Sequence, residues 1–154
     1  MANIVFIGLG SNLGNRKENI KKAIMKISEL PQSSVQAASS IINTKPMGKI
    51  DQPDFLNCVI KIKTELNPEQ LLSKLLQIEK EMGRIRKEKL GPRIIDLDIL
   101  FFNDEIIKTK ELIIPHSEIL NRKFVLYLIK EIAPQLEHPI MQKTIAELYA
   151  EYQE

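Results

Sequence analysis

A chain of 154 residues, 44 % hydrophobic and 27 % charged, has the composition of one globular domain, which excludes a disordered tail and a collagen-like repeat. One cysteine excludes an internal disulfide framework, and two histidines beside it cannot build a structural zinc site unless carboxylates dominate it. Net charge is only +2, too little to draw the whole surface to nucleic acid or membrane, so neither is an expected partner. For this mass, surface scaling gives a folded area of roughly 8,000 Å² with about 69 % of the unfolded surface buried, enough for a real core without staples. No run approaches the ~18 apolar residues of a membrane span. The N-terminus lacks a basic flank, so it reads as a buried strand rather than a signal peptide. A soluble protein of the reducing cytoplasm is expected.

Asn3 to Leu9 reads as a strand, and Gly8 to Asn15 as a turn-rich loop. Asn15, with Glu18 three residues on, caps a helix whose apolar face is Ile20, Ala23, Ile24 and Ile27, ending by Pro31. Val35 to Asn43 is a second strand, and Thr44 to Asp54 a loop. Phe55 to Leu66 alternates: Leu56, Cys58, Ile60 and Ile62 face a core, while Asn57, Lys61 and Lys63 face out, with Val59 between them. Asn67-Pro68-Glu69-Gln70 starts a helix with cap, box partner and Pro at N1; Leu71, Leu75, Ile78 and Met82 form its stripe and Gly83 stops it. Ile94 to Phe102 is a strand, followed by an Asn103-Asp104 turn into a short strand at Glu105 to Ile107. Leu112 to Ile114 is extended before Pro115. Ser117 to Ile132 has helical spacing, and Thr144 to Glu147 caps a last short helix. Two successive β-α-β halves with hairpin partners indicate an α+β fold with a ferredoxin-like core.

Four stretches carry chemistry. Asp96 and Asp98 share one face of an apolar strand, their Cα atoms ~6.6 Å apart. Two such carboxylates are costly to desolvate uncompensated. A Mg²⁺ ion completed by substrate phosphates and water answers that cost, as do salt bridges on a half-exposed strand. A glycosidase pair fits less well in a chain without Trp. Because the two anions repel, removing either is expected to leave the free protein no less stable. From Arg84 to Arg93, five cations oppose one anion, a local charge of +4 against −2 for the remainder. A solvated loop would have this composition, but its adjacency to Asp96 suggests phosphoryl chemistry. The stretch is expected to be mobile until a polyphosphate cancels its self-repulsion. Gly8, Gly10 and Gly14 fit neither the dinucleotide nor the Walker spacing, and a flexible βα loop is the preferred reading of them. Phe55 and Asn57 share a face, where a ring and a bifunctional amide suit a planar heterocycle, although from this stretch alone a surface Phe covered by a loop is the preferred reading. No serine elbow or Cys–His pair is present, His116 alone is as readily structural, and Cys58 reads as inert.

Gly8-Leu9-Gly10-Ser11-Asn12-Leu13-Gly14, Pro53-Asp54-Phe55-Leu56-Asn57, Gly83-Arg84-Ile85-Arg86, Gly91-Pro92-Arg93-Ile94-Ile95-Asp96-Leu97-Asp98-Ile99 and Pro115-His116 occur in the order in which the 6-hydroxymethyl-7,8-dihydropterin pyrophosphokinase family carries such segments. The chain resembles that family over nearly its full length. The resemblance implies a single pyrophosphokinase domain over residues 1–154, without a fused aldolase or pteroate synthase. It implies an α/β/α layering around an antiparallel sheet, with helices on both faces. It implies transfer of pyrophosphate from ATP to the pterin alcohol in folate biosynthesis, with two Mg²⁺ ions on Asp96 and Asp98. Arg84 and Arg93 match arginines at the triphosphate and share the catalytic role with the aspartates. Arg86 and Lys89 match further loop positions on the ATP side. Thr44, Met47, Phe55, Asn57 and Phe124 match the pterin pocket. Glu79, Ile99, Leu112, Ile113, His116, Ser117 and Arg122 fall where ATP contacts lie. Leu90 stands where the family often has a Trp. The expected partners are ATP and the pterin, acting on a monomer. Two other readings of the residues remain at this stage: another Mg²⁺-dependent phosphoryl or nucleotidyl transferase, and a ferredoxin-like RNA-binding module, for which sheet aromatics are sparse.

Overall fold

The computed structural model of the protein describes residues 2–46, 51–84 and 92–152. Its elements are β1 (Asn3–Ser11), α1 (Arg16–Ser28), β2 (Ser33–Ala38), β3 (Ile42–Thr44), β4 (Phe55–Thr64), α2 (Pro68–Glu81), β5 (Asp96–Phe102), β6 (Ile107–Lys108), β7 (Ile113–Ile114), α3 (Glu118–Asn121), α4 (Lys123–Ile132) and α5 (Ile145–Glu151). Met47, Arg86, Lys89 and Leu90 lie outside the described residues, as does most of the basic stretch for which motion is expected.

The main sheet is antiparallel in the order β2-β4-β1-β5, with β3 added alongside β4. Alternation along the central strand β1 supplies two cores at once. Val5, Ile7 and Leu9 point to one face, where they meet Ile60, Ile62, Leu97 and Ile99 and are covered by Ile20, Ala23 and Ile27 of α1 and Leu71, Leu75 and Ile78 of α2. Phe6 points to the other face with Val59, Leu100 and Phe101, covered by Val125, Leu128 and Ile129 of α4 and Ile145 and Leu148 of α5. Each fully buried Leu or Ile contributes about 1.5–3 kcal/mol, so both faces hold the sheet. The result is the expected α+β fold with helices on both sides.

The caps act as their sequence implies. Asn67 Oδ1 accepts from Gln70 N at 2.8 Å, and Gln70 Oε1 accepts from Asn67 N at 2.9 Å, closing a capping box at the start of α2. Gly83, at φ +93°, ends that helix in a backbone state that side chains disfavour. Thr144 and Glu147 close the same box on α5.

Four elements differ from expectation. β1 runs on through Gly8 and Gly10 to Ser11, because partners on both sides pair those residues and override their turn preference. The expected strand from Val35 to Asn43 is two strands. β2 carries a bulge between Val35 and Ala37, and the chain then departs at Ser39, whose hydroxyl accepts from Val59 N at 2.8 Å. β6 pairs with β7 rather than with β5. The turn at Asn103 instead docks on β1, donating to Ile4 O at 2.8 Å, and His116 N caps β5 at Leu100 O, 3.0 Å away. The helix expected from Ser117 to Ile132 breaks at Arg122, whose φ −134° and ψ 113° are extended. Among the described residues no helix is long and apolar enough to cross a membrane.

Candidate active site

Antiparallel pairing brings the end of β1 against the starts of both neighbouring strands. Gly10 lies between Asn57 of β4 and Asp96 of β5, and Gly8 lies between Val59 and Asp98. The second helical layer covers the far end of this sheet face and leaves the near end open. A cleft results, floored by Gly8 and Gly10 and walled by Asn57, Asp96, Asp98, Phe124, Val125 and Leu128 among others. A Cβ on Gly10 would stand 2.8 Å from Asn57 Oδ1, closer than real side chains approach. The glycines are therefore the floor of a site, not a flexible loop. A second cavity adjoins it, lined by Leu97, Ile99, Leu112, Ile113 and Ser117, and Asp98 and His116 line both.

β5 can aim both carboxylates into the cleft because its other face is apolar: Ile95, Leu97 and Ile99 are 0 %, 6 % and 3 % exposed. Phe6 pairs with Phe101 and Ile7 with Ile99, so Leu100 is an extra residue, and both Leu100 and Phe101 join the second core beyond the face of Asp96 and Asp98. The two aspartates differ in surroundings. Asp96 Oδ1 accepts from Arg84 Nη1 at 2.8 Å, and Asp96 Oδ2 accepts from Arg93 Nη1 at 3.1 Å. Asp98 has His116 Nε2 at 3.8 Å, beyond hydrogen-bond length. Burial, then the charges of Asp96 and Glu79, push its carboxyl up to about 8, although water still reaches 42 % of the side chain through the cleft mouth. His116 is shifted the other way, below its ordinary value, chiefly by burial. Its Nδ1 accepts from Glu118 N at 3.1 Å, which leaves Nε2–H facing Asp98 and both cavities.

Behind the aspartates sits Glu79, 2 % exposed. Its Oε2 accepts from Arg84 Nη1 and from Leu97 N, each at 2.8 Å. Glu79 lines neither cavity; it fixes Arg84 to the edge of β5. The amide of Asn57 donates to the Thr44 hydroxyl, so the ring-and-amide pair is already oriented. Arg93 lies with its guanidinium 5.6 Å from the Phe55 ring centroid, and Arg122 stands 4.4 Å from that of Phe124. Arg122 lines the first cleft rather than the second.

The structure thus brings together Thr44, Phe55, Asn57 and Phe124 on one side, Ile99, Leu112, Ile113, His116 and Ser117 on the other, and Asp96, Asp98, Arg84 and Arg93 at the junction. Sequence reasoning missed the role of Gly8 and Gly10, because a glycine's place in a sheet depends on its neighbours. It also missed Glu118, which lines the first cleft. Two hard carboxylates on one face suit Mg²⁺. Among the described residues no group of three His, Cys, Asp or Glu could hold a metal, so a cation on Asp96 and Asp98 would need water or phosphate oxygens to complete its shell.

Residues 6–134 match the family profile described as 7,8-dihydro-6-hydroxymethylpterin-pyrophosphokinase (HPPK). The chain is 46 % identical over 137 residues to the 2-amino-4-hydroxy-6-hydroxymethyldihydropteridine pyrophosphokinase of Bacillus subtilis (strain 168), covering 89 % of this chain and 82 % of that protein. It is 44 % identical over 147 residues to a protein of the same name from Aquifex aeolicus (strain VF5), covering 96 % and 91 %. Similarity to the folic acid synthesis protein fol1 of Pneumocystis carinii is 47 % identity over 145 residues, 94 % of this chain but 20 % of that protein. Among solved structures, Plasmodium falciparum HPPK-DHPS wild type with pteroate shares the fold at a TM-score of 0.79 and 19 % identity. That match covers 99 % of this chain and 42 % of the other, so the chain spans less than half the length of this structural neighbour.

Proposed function

Because the chain belongs to the 7,8-dihydro-6-hydroxymethylpterin-pyrophosphokinase family, we propose that the open end of its sheet is where that reaction is carried out, by Asp96, Asp98, Arg84 and Arg93. The chain transfers pyrophosphate from ATP to 6-hydroxymethyl-7,8-dihydropterin, giving AMP and the pterin diphosphate, in folate biosynthesis. One observation carries the assignment of residues: Asp98 and His116 line both the cleft with the amide and ring and the adjoining cavity. A group bound in one therefore meets a group bound in the other at Asp98.

In this reading the pterin stacks between Phe55 and Phe124, and Asn57, oriented by Thr44, reads its polar edge with donor and acceptor together. The family resemblance assigns Met47 to that pocket as well. ATP occupies the second cavity against Ile99, Leu112, Ile113, His116 and Ser117. Arg122 reaches the nucleotide from the first cleft, beside Phe124; the family resemblance assigns Arg86 and Lys89 to the nucleotide as well, and Glu79 acts by holding Arg84. The pterin hydroxyl oxygen forms a bond to the β-phosphorus, the bond from that phosphorus to the α–β bridging oxygen breaks, AMP leaves, and the hydroxyl proton passes to solvent. Arg84 and Arg93 meet charge that grows on the transferred group, in a partly dry site where such contacts are strong. Asp96 and Asp98 would hold Mg²⁺, two ions in all, which when bound neutralise phosphate charge. Asp98 must give up its proton to do so.

The coverage of both sheet faces by the chain's own helices supports a single domain over residues 1–154 that acts as a monomer. Chromatography of the nucleotide product tests the reading: AMP is expected, and accumulation of ADP would make this an ordinary kinase. Mg²⁺-dependent turnover retained at wild-type level in Asp98→Ala would remove the metal assignment.

A further inference from the structure

Asn12 is 1 % exposed, and both ends of its side chain are spent on other segments. Its Oδ1 accepts from Arg93 N at 2.8 Å, and its own backbone N–H donates to Arg93 O at 3.1 Å. Its Nδ2 donates to Gln52 Oε1 at 2.8 Å and to Pro53 O at 3.0 Å. The register explains how one residue reaches so far. Ser11 pairs with Leu56 of β4, and Gly10 with Asp96 of β5. The segments leading into those two strands therefore flank the residue that leaves β1. One segment runs from Pro53 to Phe55, and the other from Arg93 to Asp96. They meet again beyond Asn12, where the Arg93 guanidinium lies 5.6 Å from the Phe55 ring centroid and its Nη1 binds Asp96 Oδ2 at 3.1 Å.

We propose that Asn12 is a positioning residue that makes the two substrate half-sites interdependent, by tying the segment before the pterin wall and the segment before the triphosphate wall to one buried amide. The proposal rests on the assignment of those walls given above. Four hydrogen bonds fix the two segments to Asn12, which is itself buried although Gln52 and Arg93 are half-buried and Pro53 is exposed, and an amide buried there without its partners is costly. A ligand that settles Phe55 therefore settles Arg93, and the reverse follows because coupling between sites is reciprocal. The work needs a side chain that accepts at one end and donates at the other, which is the asparagine amide. Aspartate keeps the acceptor for Arg93 N–H but sets a second acceptor against Gln52 Oε1 and Pro53 O. Alanine keeps neither.

The test is calorimetric titration of 6-hydroxymethyl-7,8-dihydropterin into the protein with Mg²⁺, with and without α,β-methylene-ATP, which cannot be cleaved at the reacting bond. Wild type is expected to bind the pterin about tenfold tighter or more when the nucleotide is present, within the usual span of coupling between sites. In Asn12→Ala and Asn12→Asp that ratio is expected to fall toward one, while each ligand alone binds within about threefold of wild type. A ratio unchanged in either folded variant overturns the proposal. So does a wild type in which the nucleotide leaves pterin binding unaltered. A merely structural role would weaken each ligand alone and lower the melting temperature while keeping the ratio, and that result also counts against it. Should Asn12→Ala fail to fold, Asn12→Asp and Gln52→Ala, which removes an acceptor of the Asn12 amide, carry the same comparison. Failure of the assigned reaction would show separately, as absence of AMP from wild-type turnover.

Discussion

Asp96 and Asp98 are two residues apart on one strand, yet substituting them is expected to have opposite effects. Asp96 neutralises two arginines whose side chains are 9 % and 15 % exposed. Asp96→Asn weakens both pairs and is expected to cost about 1–3 kcal/mol, because charged donors are left short of a partner. Asp98 is held largely protonated by burial and by its acidic neighbours, with its carboxyl near 8 against an ordinary value of 3.8. A carboxyl raised on folding contributes stability below its unfolded value, and that contribution is lost as pH climbs toward the folded one. Asp98→Asn is therefore expected to be more stable than wild type at pH 8, by about 1–2 kcal/mol once solvent at the cleft mouth is allowed for. The gain should fade by pH 4. Urea unfolding of both variants across that range checks this, and both should lose turnover. The arginine pairs on Asp96 thus turn the expectation that losing either anion leaves the free protein no less stable into an asymmetric one, kept for Asp98 and reversed for Asp96. The sequence makes the shared face visible through the alternation of Ile95, Leu97 and Ile99. It cannot show that Arg84 and Arg93 choose the same aspartate, because that depends on where Glu79 anchors Arg84.

Strand β1 illustrates how far element-level reasoning reaches. Its apolar half is plain from Val5, Ile7 and Leu9, but Gly8 and Gly10 look like a turn until partners occupy both sides. Helix α2 is legible to the residue, because its cap, box partner, N1 proline and C-terminal glycine are all local. The break at Arg122 is not, since nothing in the spacing of Phe124, Leu128 and Ile132 requires the helix to start after it. The glycine floor can be probed directly. A Cβ at Gly8 would meet Leu100 at 3.5 Å, ordinary contact, whereas one at Gly10 would meet Asn57 Oδ1 at 2.8 Å. Gly8→Ala is expected to fold and to retain Asn57 in place. Gly10→Ala must displace that amide, and pterin affinity should fall about tenfold or more while binding of an ATP analogue is little changed. In the connection before α5, the buried Nδ1 of His138 accepts from Ile140 N and Met141 N at 3.3 and 3.2 Å. Burial lowers its pKa from 6.5. The unfolded chain takes up that proton more readily, so stability is full above 6.5 and declines as pH falls below it. His138→Gln should flatten the decline, measured as the difference in unfolding free energy between pH 7.5 and pH 5.

At the scale of the whole molecule, one sheet serves two cores. A Leu75→Ala change empties space in the first and Leu128→Ala in the second, and each is expected to cost about 2–5 kcal/mol. Because β1, β4 and β5 contribute side chains to both, neither layer can melt alone. Tyrosine fluorescence from Tyr127 and Tyr149, outside the sheet on α4 and α5, should report the same urea midpoint as far-ultraviolet circular dichroism in both variants. Separate midpoints would mean the layers are independent. Cys58 sits at the centre of this arrangement, 2 % exposed on β4 between β1 and its outer neighbours. Burial pushes its thiol up to about 12, so at neutral pH almost none is the nucleophilic thiolate. It is also the sole thiol in the chain. A maleimide or disulfide reagent can then react only during the moments when the strands part. The rate of that single modification is a clock for how often the catalytic floor comes open, and bound substrates should slow it.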